Sequence, residues 1–153
     1  MKKNNAFSLD SDIVPGRSIG GVSLGDCAEE VFYCIADTFD VRIFEFENFG
    51  IRFVHYEVNG GVVSFVAKDD GKISSLWCKP PYSGNFDGRL FPGITAGELK
   101  SVSKRQELVS GYLVVDRNYL IYYGMSDNID DFNHFSDLDD NVVFEELHVG
   151  GLR

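Results

Sequence analysis

The chain has 153 residues, and its 24 Asp and Glu against 14 Lys and Arg give a net charge of −10. Hydrophobic residues make up 44% and aromatic residues 14% of the sequence, which supplies enough apolar material for one folded domain and excludes global disorder. No apolar run approaches the roughly 20 residues that span a bilayer, and the N-terminus lacks the apolar region of a secretory signal. We therefore expect a cytoplasmic protein that does not bind membranes.

The polar first residues, 1–12, are expected to form a flexible arm. The first half of the chain, residues 13–78, is turn-rich at its start and then shows a capping-box pattern, in which Glu29 follows Asp26 by three residues. This pattern and the helical spacing of the apolar residues after it predict a helix over residues 26–37.

Four strands are predicted after this helix, because β-branched and aromatic residues alternate there with polar ones. Two hairpin signals, Asn59-Gly60 and Asp69-Asp70-Gly71, separate the last three strands. The predicted strands cover residues 41–47, 51–58, 62–68 and 72–78. The first half is therefore predicted to be a helix followed by an antiparallel meander.

The second half, residues 79–153, repeats the opening of the first half at an offset of 68 residues. The matched pairs are Gly20 and Gly88, Val22 and Leu90, Gly25 and Gly93, Ala28 and Ala96, Glu30 and Glu98, and Val31 and Leu99. Thr95 and Glu98 form a second capping box, which predicts a helix over residues 96–103. Further strands are predicted over residues 112–116, 119–123 and 142–149.

This self-similarity predicts an α+β fold in which two similar helix-plus-antiparallel-sheet halves form one compact domain. The helices would then cover one face of the sheet and leave the other face free. A chance resemblance between two glycine-rich helix entries stays the alternative.

The cysteines and histidines do not indicate a metal or redox site. Cys27 and Cys34 lie seven residues apart on the first predicted helix, about 10 Å along its axis, which is too far for a disulfide. With Cys78 on a predicted strand, all three cysteines are interpreted as buried, reduced thiols. A histidine within a strand, such as His55, is more often packed than catalytic. We expect neither a cofactor nor a metal.

The negative charge is concentrated towards the C-terminal end. Residues 1–117 contain 16 acidic and 13 basic residues, whereas residues 118–153 contain eight acidic residues against Arg153 alone. A segment without local counter-ions creates a negative potential, which repels nucleic acid and attracts a basic protein.

Apolar residues among the aspartates distinguish the acidic loop, residues 126–141, from a run that only keeps the protein soluble. Phe132 and Phe135 either anchor the loop to the core or form the apolar centre of an interface with a charged rim. We expect them to bind a partner together with the neighbouring carboxylates. The candidate partner-binding residues are Asp127, Asp130, Asp131, Phe132, Phe135, Asp137, Asp139, Asp140 and Glu145.

Two other uses of the acidic loop stay open. Residues 137–141 match the start of a calcium-binding loop, although Val142 stands where the turn needs Gly and His148 where a Glu ligand belongs. A small-ligand or cation-binding module is therefore the alternative function. An acid–base pair such as Asp130 with Asp139 would need one carboxyl group in an apolar pocket, and no sequence feature indicates one. We do not expect an enzyme.

The glycine-rich opening, Ile13-Val14-Pro15-Gly16 with Ser18, Gly20-Gly21-Val22 and Leu24-Gly25, resembles small bacterial immunity proteins of contact-dependent growth inhibition and related polymorphic toxin systems. Tyr82-Ser83-Gly84 and Phe91-Pro92-Gly93-Ile94-Thr95 add to the likeness, which covers residues 13–125. The doubled plan is also similar to the beta-lactamase-inhibitor-protein type of fold, in which two halves present a concave sheet to a target. The resemblance implies that the chain binds and neutralises a cognate toxin, such as a basic nuclease, and that the acidic loop fits that toxin.

Overall fold

The computed structural model describes residues 7–125 and 134–151, and within them the fold is α+β, as predicted. Its main feature is one antiparallel sheet of eight strands with two α-helices packed on one face. The first half contains β1 (Ser18–Ile19), β2 (Val22–Ser23), α1 (Ala28–Ile35), β3 (Val41–Asn48), β4 (Ile51–Val58), β5 (Val63–Ala67) and β6 (Ile73–Cys78). The second half contains β7 (Ile94–Thr95), α2 (Ala96–Val102), β8 (Gln106–Val109), β9 (Tyr112–Val115), β10 (Ile121–Gly124), a 3₁₀ turn (Phe135–Asp137), β11 (Val143–Phe144) and β12 (Leu147–Val149).

The strands of the large sheet follow the order β3-β4-β5-β6-β12-β10-β9-β8. The last strand of each half therefore meets the other at the centre, where Trp77 of β6 lies opposite His148 of β12. The predicted final strand, residues 142–149, is split in two, because β11 leaves the large sheet and pairs with β7 in a separate ladder. The edges of the large sheet are β3 and β8.

The hydrophobic core lies between the helices and one face of the sheet. The Phe32 ring of α1 packs 6.1 Å from the Tyr56 ring of β4. On α2, Leu99 is fully buried in the same core as Tyr123, whose hydroxyl donates a hydrogen bond to the carbonyl of Phe91 at 2.9 Å. Burying a large apolar side chain contributes roughly 1.5–3 kcal/mol, so these contacts fix the helices on this face, which we call the core face.

The two helices begin in different ways. At α2 the predicted capping box is confirmed: Thr95 Oγ1 accepts a hydrogen bond from the Glu98 N–H, and the Glu98 carboxylate accepts one from the Thr95 N–H. At α1 the predicted cap is wrong, because the Asp26 carboxylate accepts a hydrogen bond from the Ser23 N–H in the preceding turn. Cys27 is extended there and bridges to Lys72, so the helix starts only after it.

The described part of the predicted flexible arm, residues 7–12, is held by hydrogen bonds to both halves. The Ser8 N–H donates to the carbonyl of Gly20 at 3.1 Å, and the Tyr82 hydroxyl donates to the carbonyl of Ser11 at 2.6 Å. These residues therefore form part of the folded structure. The remainder of the predicted arm lies outside the described residues.

The cysteines are free, but only one of them is buried as predicted. Cys27 and Cys34 are exposed, because Ala28 and Ile35 are the residues of this region that turn towards the sheet. Cys78 lies in the core, and burial raises the pKa of its thiol well above the usual range. Cys78 is therefore an unreactive core residue.

Candidate functional site

The face of the sheet opposite the helices carries large side chains that do not belong to the core. Along β3 and β4, alternate positions that lie opposite each other, such as Phe44 with His55 and Phe46 with Phe53, place their side chains on this face. We call this surface the open face. Its large residues are Phe44, Phe46, Phe53, His55, Trp77, Tyr112, Tyr122 and His148, and none of them belongs to the core cluster or packs against it.

Six of these rings form a row across the sheet from β3 to β9. Successive ring centroids are 5.8 Å apart for Phe44 and His55, 5.3 Å for His55 and Trp77, 5.3 Å for Trp77 and His148, 5.5 Å for His148 and Tyr122, and 4.8 Å for Tyr122 and Tyr112. Each aromatic pair contributes about 0.5–1.5 kcal/mol beyond its buried area. The contacts of this aromatic row therefore hold its side chains in place without a partner.

Small residues of β5 lie beneath the aromatic row. Ser64 and Val66 point to the open face and are only 2% and 7% exposed. Trp77 lies opposite Ser64 on β6, and His55 lies opposite Val66 on β4, so the two rings meet above β5. The strand is therefore buried on both faces, which explains its continuous run of buried residues.

The His55 side chain is half-buried within the row, between the Phe44 and Trp77 rings. Burial lowers the pKa of His55, against a weaker opposing effect of the nearby Glu57 carboxylate. Its Nε2 atom has no hydrogen-bond partner in the described part of the chain. The neutral imidazole is therefore the form that this environment favours.

Charged groups flank the row and form pairs. The Glu146 carboxylate accepts a hydrogen bond from Nε2 of His148 at 3.2 Å, and this bond lowers the pKa of Glu146, with a further contribution from Lys79. At the β9 end, Glu107 accepts hydrogen bonds from Arg105 at 2.6 Å and from the Tyr119 hydroxyl at 3.2 Å. With acidic groups balanced by basic ones, the open face is close to neutral on a chain whose net charge is −10.

The described end of the acidic loop, residues 134–141, packs against α2 on the helix side of the sheet. Lys100 of α2 contacts the Asp140 carboxylate and the carbonyl of Leu138, both at 2.8 Å, and the Gly97 N–H donates to the carbonyl of Asp140 at 3.0 Å. Five of the predicted contact residues are described. Phe135 is buried, and the other four are exposed: Asp137, Asp139, Asp140 and Glu145. The others lie outside the described residues: Asp127, Asp130, Asp131 and Phe132.

Phe135 has the first of the two roles that the sequence left open for it. Its side chain is 5% exposed and belongs to the core, with its ring 6.0 Å from that of Phe144. The prediction that Phe135 presents its ring to a partner is therefore corrected. The ring is buried and anchors the described end of the acidic loop, residues 134–141, to the core.

Helix α1 extends the negative charge of the helix side. No Lys or Arg occurs between Arg17 and Arg42, whereas Glu29, Glu30 and Asp37 in this interval are exposed. Counting charge over residues 1–117 as one block missed this contribution, because Lys and Arg elsewhere in that block offset it.

The residues of the open face could have been found from the strand pattern. In β4, Phe53 and His55 alternate with Val54, Tyr56 and Val58, so both sides of the strand carry apolar or aromatic groups. A strand with one solvated face would show polar residues at every second position. The helix-plus-sheet pattern predicted a free face, but none of these residues was assigned to it from the sequence.

Within residues 7–125 and 134–151, no three His, Cys, Asp or Glu side chains are grouped closely enough to hold a metal ion. No helix in this part of the chain is long and apolar enough to cross a bilayer. Comparisons with protein-family models, with curated proteins and with solved structures found no match to the chain. The open face and the charge distribution therefore carry the argument for function.

Proposed function

We propose that this protein is an immunity-type inhibitor that binds and neutralises a cognate bacterial toxin, and that the toxin docks on the open face. The observation that carries the proposal is the aromatic row, which lies outside the core and opposite the helices. Trp and Tyr are among the residues that contribute most at protein interfaces. Because the sheet and the ring contacts already hold the side chains, docking costs little ordering entropy.

The acidic helix side has a separate role in this proposal. Long-range attraction by a chain of net charge −10 speeds the encounter with a basic toxin, such as a nuclease whose active site attracts phosphate. The near-neutral open face then supplies the contacts that set the lifetime of the complex. The predicted acidic residues act in this proposal as long-range steering groups, and the predicted role of Phe132 as an apolar contact, which lies outside the described residues, stays a prediction. The mechanism is stoichiometric binding in the cytoplasm, without catalysis.

We also infer that the chain consists of two copies of one helix-plus-sheet unit. Helices α1 and α2 start at Ala28 and Ala96, which are separated by the offset of 68 residues seen in the sequence repeat. The glycines at Gly25 and Gly93, related by the same offset, both have φ near +91°. In this arrangement the open face continues from one unit to the other, and a toxin contacts both.

The test uses the product of the gene immediately upstream of this chain as the candidate toxin domain. We expect the protein to bind that domain at equal stoichiometry in titration calorimetry and to restore growth when the two are co-expressed. Trp77→Ala should weaken binding at least about 30-fold, which corresponds to a hot-spot loss of about 2 kcal/mol. Tyr33→Ala is the matched control, because Tyr33 is an aromatic residue of α1 that is 73% exposed on the helix side.

The two parts of the proposal fail separately. Absence of both binding and growth rescue would exclude the immunity function for this toxin. Rescue with unchanged affinity of Trp77→Ala and Phe44→Ala would retain the function and remove the open face as the docking surface.

A further inference from the structure

The edge strand β3 offers a long, regular backbone edge. It pairs with β4 over all eight residues, from Val41 opposite Val58 to Asn48 opposite Ile51, without a register shift. The other edge of the sheet, β8, has four residues. No described strand pairs with the outer side of β3, so its outward N–H and C=O groups form a template for a further strand.

Several features that usually prevent an edge strand from pairing with another chain are missing from β3. The strand contains no Pro, Gly or Lys, and it exposes Ile43, Phe44 and Phe46 by nearly half each. The Phe49-Gly50 turn has positive φ at both residues, which matches the twist of the two strands and keeps the hairpin regular to its tip.

The hairpin geometry identifies which backbone groups point outward. The Asn59 N–H donates to the carbonyl of Asp40 at 2.7 Å, so the pair of residues 40 and 59 is hydrogen-bonded. Hydrogen-bonded and non-hydrogen-bonded pairs alternate along an antiparallel ladder. The even-numbered residues of β3 therefore bond to β4, and the odd-numbered residues direct their N–H and C=O groups outward.

We propose that β3 pairs with β3 of a second copy of this chain, antiparallel, with Phe44 on the two-fold axis. In this register Phe44 lies opposite Phe44 of the second copy, and Arg42 lies opposite Phe46, where a cation–π contact can form. Glu45 and Glu47 lie opposite the apolar Ile43 and Val41. No charged residue faces another of the same sign.

Neighbouring registers fit less well. An axis at Glu45 places two Glu45 carboxylates opposite each other, which is destabilising. An axis at Ile43 pairs only residues 41–45 of the strand, whereas the axis at Phe44 pairs residues 41–47. The outward groups then form about eight hydrogen bonds between the copies, two for each hydrogen-bonded pair. Pairing joins the two open faces, and the two aromatic rows meet at the axis.

Disulfide trapping tests the register directly. In a Cys27→Ser, Cys34→Ser background, which removes both exposed thiols, Phe44→Cys should form a disulfide-linked dimer under mild oxidation. The two side chains are opposed in a non-hydrogen-bonded pair with Cα atoms about 4.5 Å apart, which is within the range of disulfides. Phe46→Cys is the matched control, because it has the same face and nearly the same exposure. It would lie about 13 Å along the strand from its equivalent and should stay unlinked.

Sedimentation velocity tests the assembly without cysteine chemistry. We expect the unmodified chain to sediment as a dimer, and Phe44→Lys, which opposes two ammonium groups on the axis, to sediment as a monomer with an unchanged circular dichroism spectrum. More dimer should form as salt is raised, because salt screens the repulsion between two chains of net charge −10. A monomeric unmodified chain, or faster cross-linking of Phe46→Cys than of Phe44→Cys, would overturn the proposal. Amide-exchange protection of β3 that appears only with the toxin domain would also overturn it and would assign the edge to the toxin.

Discussion

Trp77 and His148 lie directly opposite each other on β6 and β12, and their rings stack 5.3 Å apart with an angle of 22° between the ring planes. They occupy the junction of the two halves of the chain, at the middle of the aromatic row. A ligand that contacts both rings therefore contacts both halves at once. This position makes Trp77 the first residue to change in the binding experiment.

Charge reversal on the helix side should slow binding without unfolding the protein. We expect Asp137→Lys, Asp139→Lys and Glu145→Lys together to reduce the association rate with a basic toxin by tenfold or more at low salt, because they reverse part of the attractive potential. All three residues are exposed, and Asp140 is left unchanged because it contacts Lys100. Stopped-flow kinetics at low and high salt measures the effect. An association rate equal to that of the unmodified chain at low salt would contradict the steering role.

His55 should make stability depend on pH. Its pKa in the folded state is below the ordinary value of 6.5, because burial disfavours the charged form. The contribution of the neutral imidazole is therefore complete above the unfolded-state pKa and decreases as the pH falls below it. We expect the free energy of unfolding to fall more for the unmodified chain than for His55→Phe between about pH 7 and about pH 5.

Urea denaturation at each pH gives these free energies. His134→Gln is the control, because His134 is exposed and lies outside the aromatic row. Glu146 also loses stabilising interactions on acidification, but it is present in every variant and its effect cancels in the comparison. Parallel curves for the unmodified chain and His55→Phe would contradict the prediction.

Phe135→Ala should destabilise the protein by about 3–5 kcal/mol, because it removes a buried ring from the core beside Phe144. Thermal or urea unfolding measures this loss. A loss of unfolding free energy below about 1 kcal/mol would show that the Phe135 ring does not anchor the acidic loop. Leu108→Ala on the edge strand β8 is a suitable comparison, because this apolar residue is exposed and its loss leaves no cavity.

Phe49→Asn should stabilise the β3–β4 hairpin. Phe49 is 95% exposed and has φ of +53°, a conformation that is unfavourable for a bulky residue and well tolerated by Asn. We expect an increase of about 0.5–1 kcal/mol in the free energy of unfolding. Phe49→Ala separates the effect of losing the exposed ring from the effect of relieving the positive φ, because Ala removes the ring but also disfavours positive φ. Lower stability of Phe49→Asn than of Phe49→Ala would refute the assignment of strain.

Local sequence signals predicted those elements whose ends are set by turns and caps. The Asn59-Gly60 turn follows β4, and the predicted strand over residues 51–58 agrees with the observed Ile51–Val58. Thr95 and Glu98 placed α2 correctly because a capping box uses only neighbouring residues. Asp26 offered the same signal, but its carboxylate bonds to Ser23, and the pairing of Cys27 with Lys72 delays the helix.

Features that depend on distant residues could not be predicted in this way. β8 was missed, because Gln106–Val109 contains only two apolar residues and becomes a strand by pairing with β9. The aromatic row also needs the sheet order, since Trp77 and His148 are 71 positions apart in the chain. Counting charge along the sequence identified an acidic region, but it could not show that Asp140 packs against α2 while Glu146 borders the open face.

The position of β12 also governs how the molecule assembles during synthesis. Its three residues, Leu147–Val149, come after every other strand of the large sheet in chain order. They nevertheless lie between β6 and β10 and pair with both. Until the ribosome has released them, the nascent polypeptide can build only two separate ribbons. The continuous open face therefore forms only after β12 has paired with both β6 and β10.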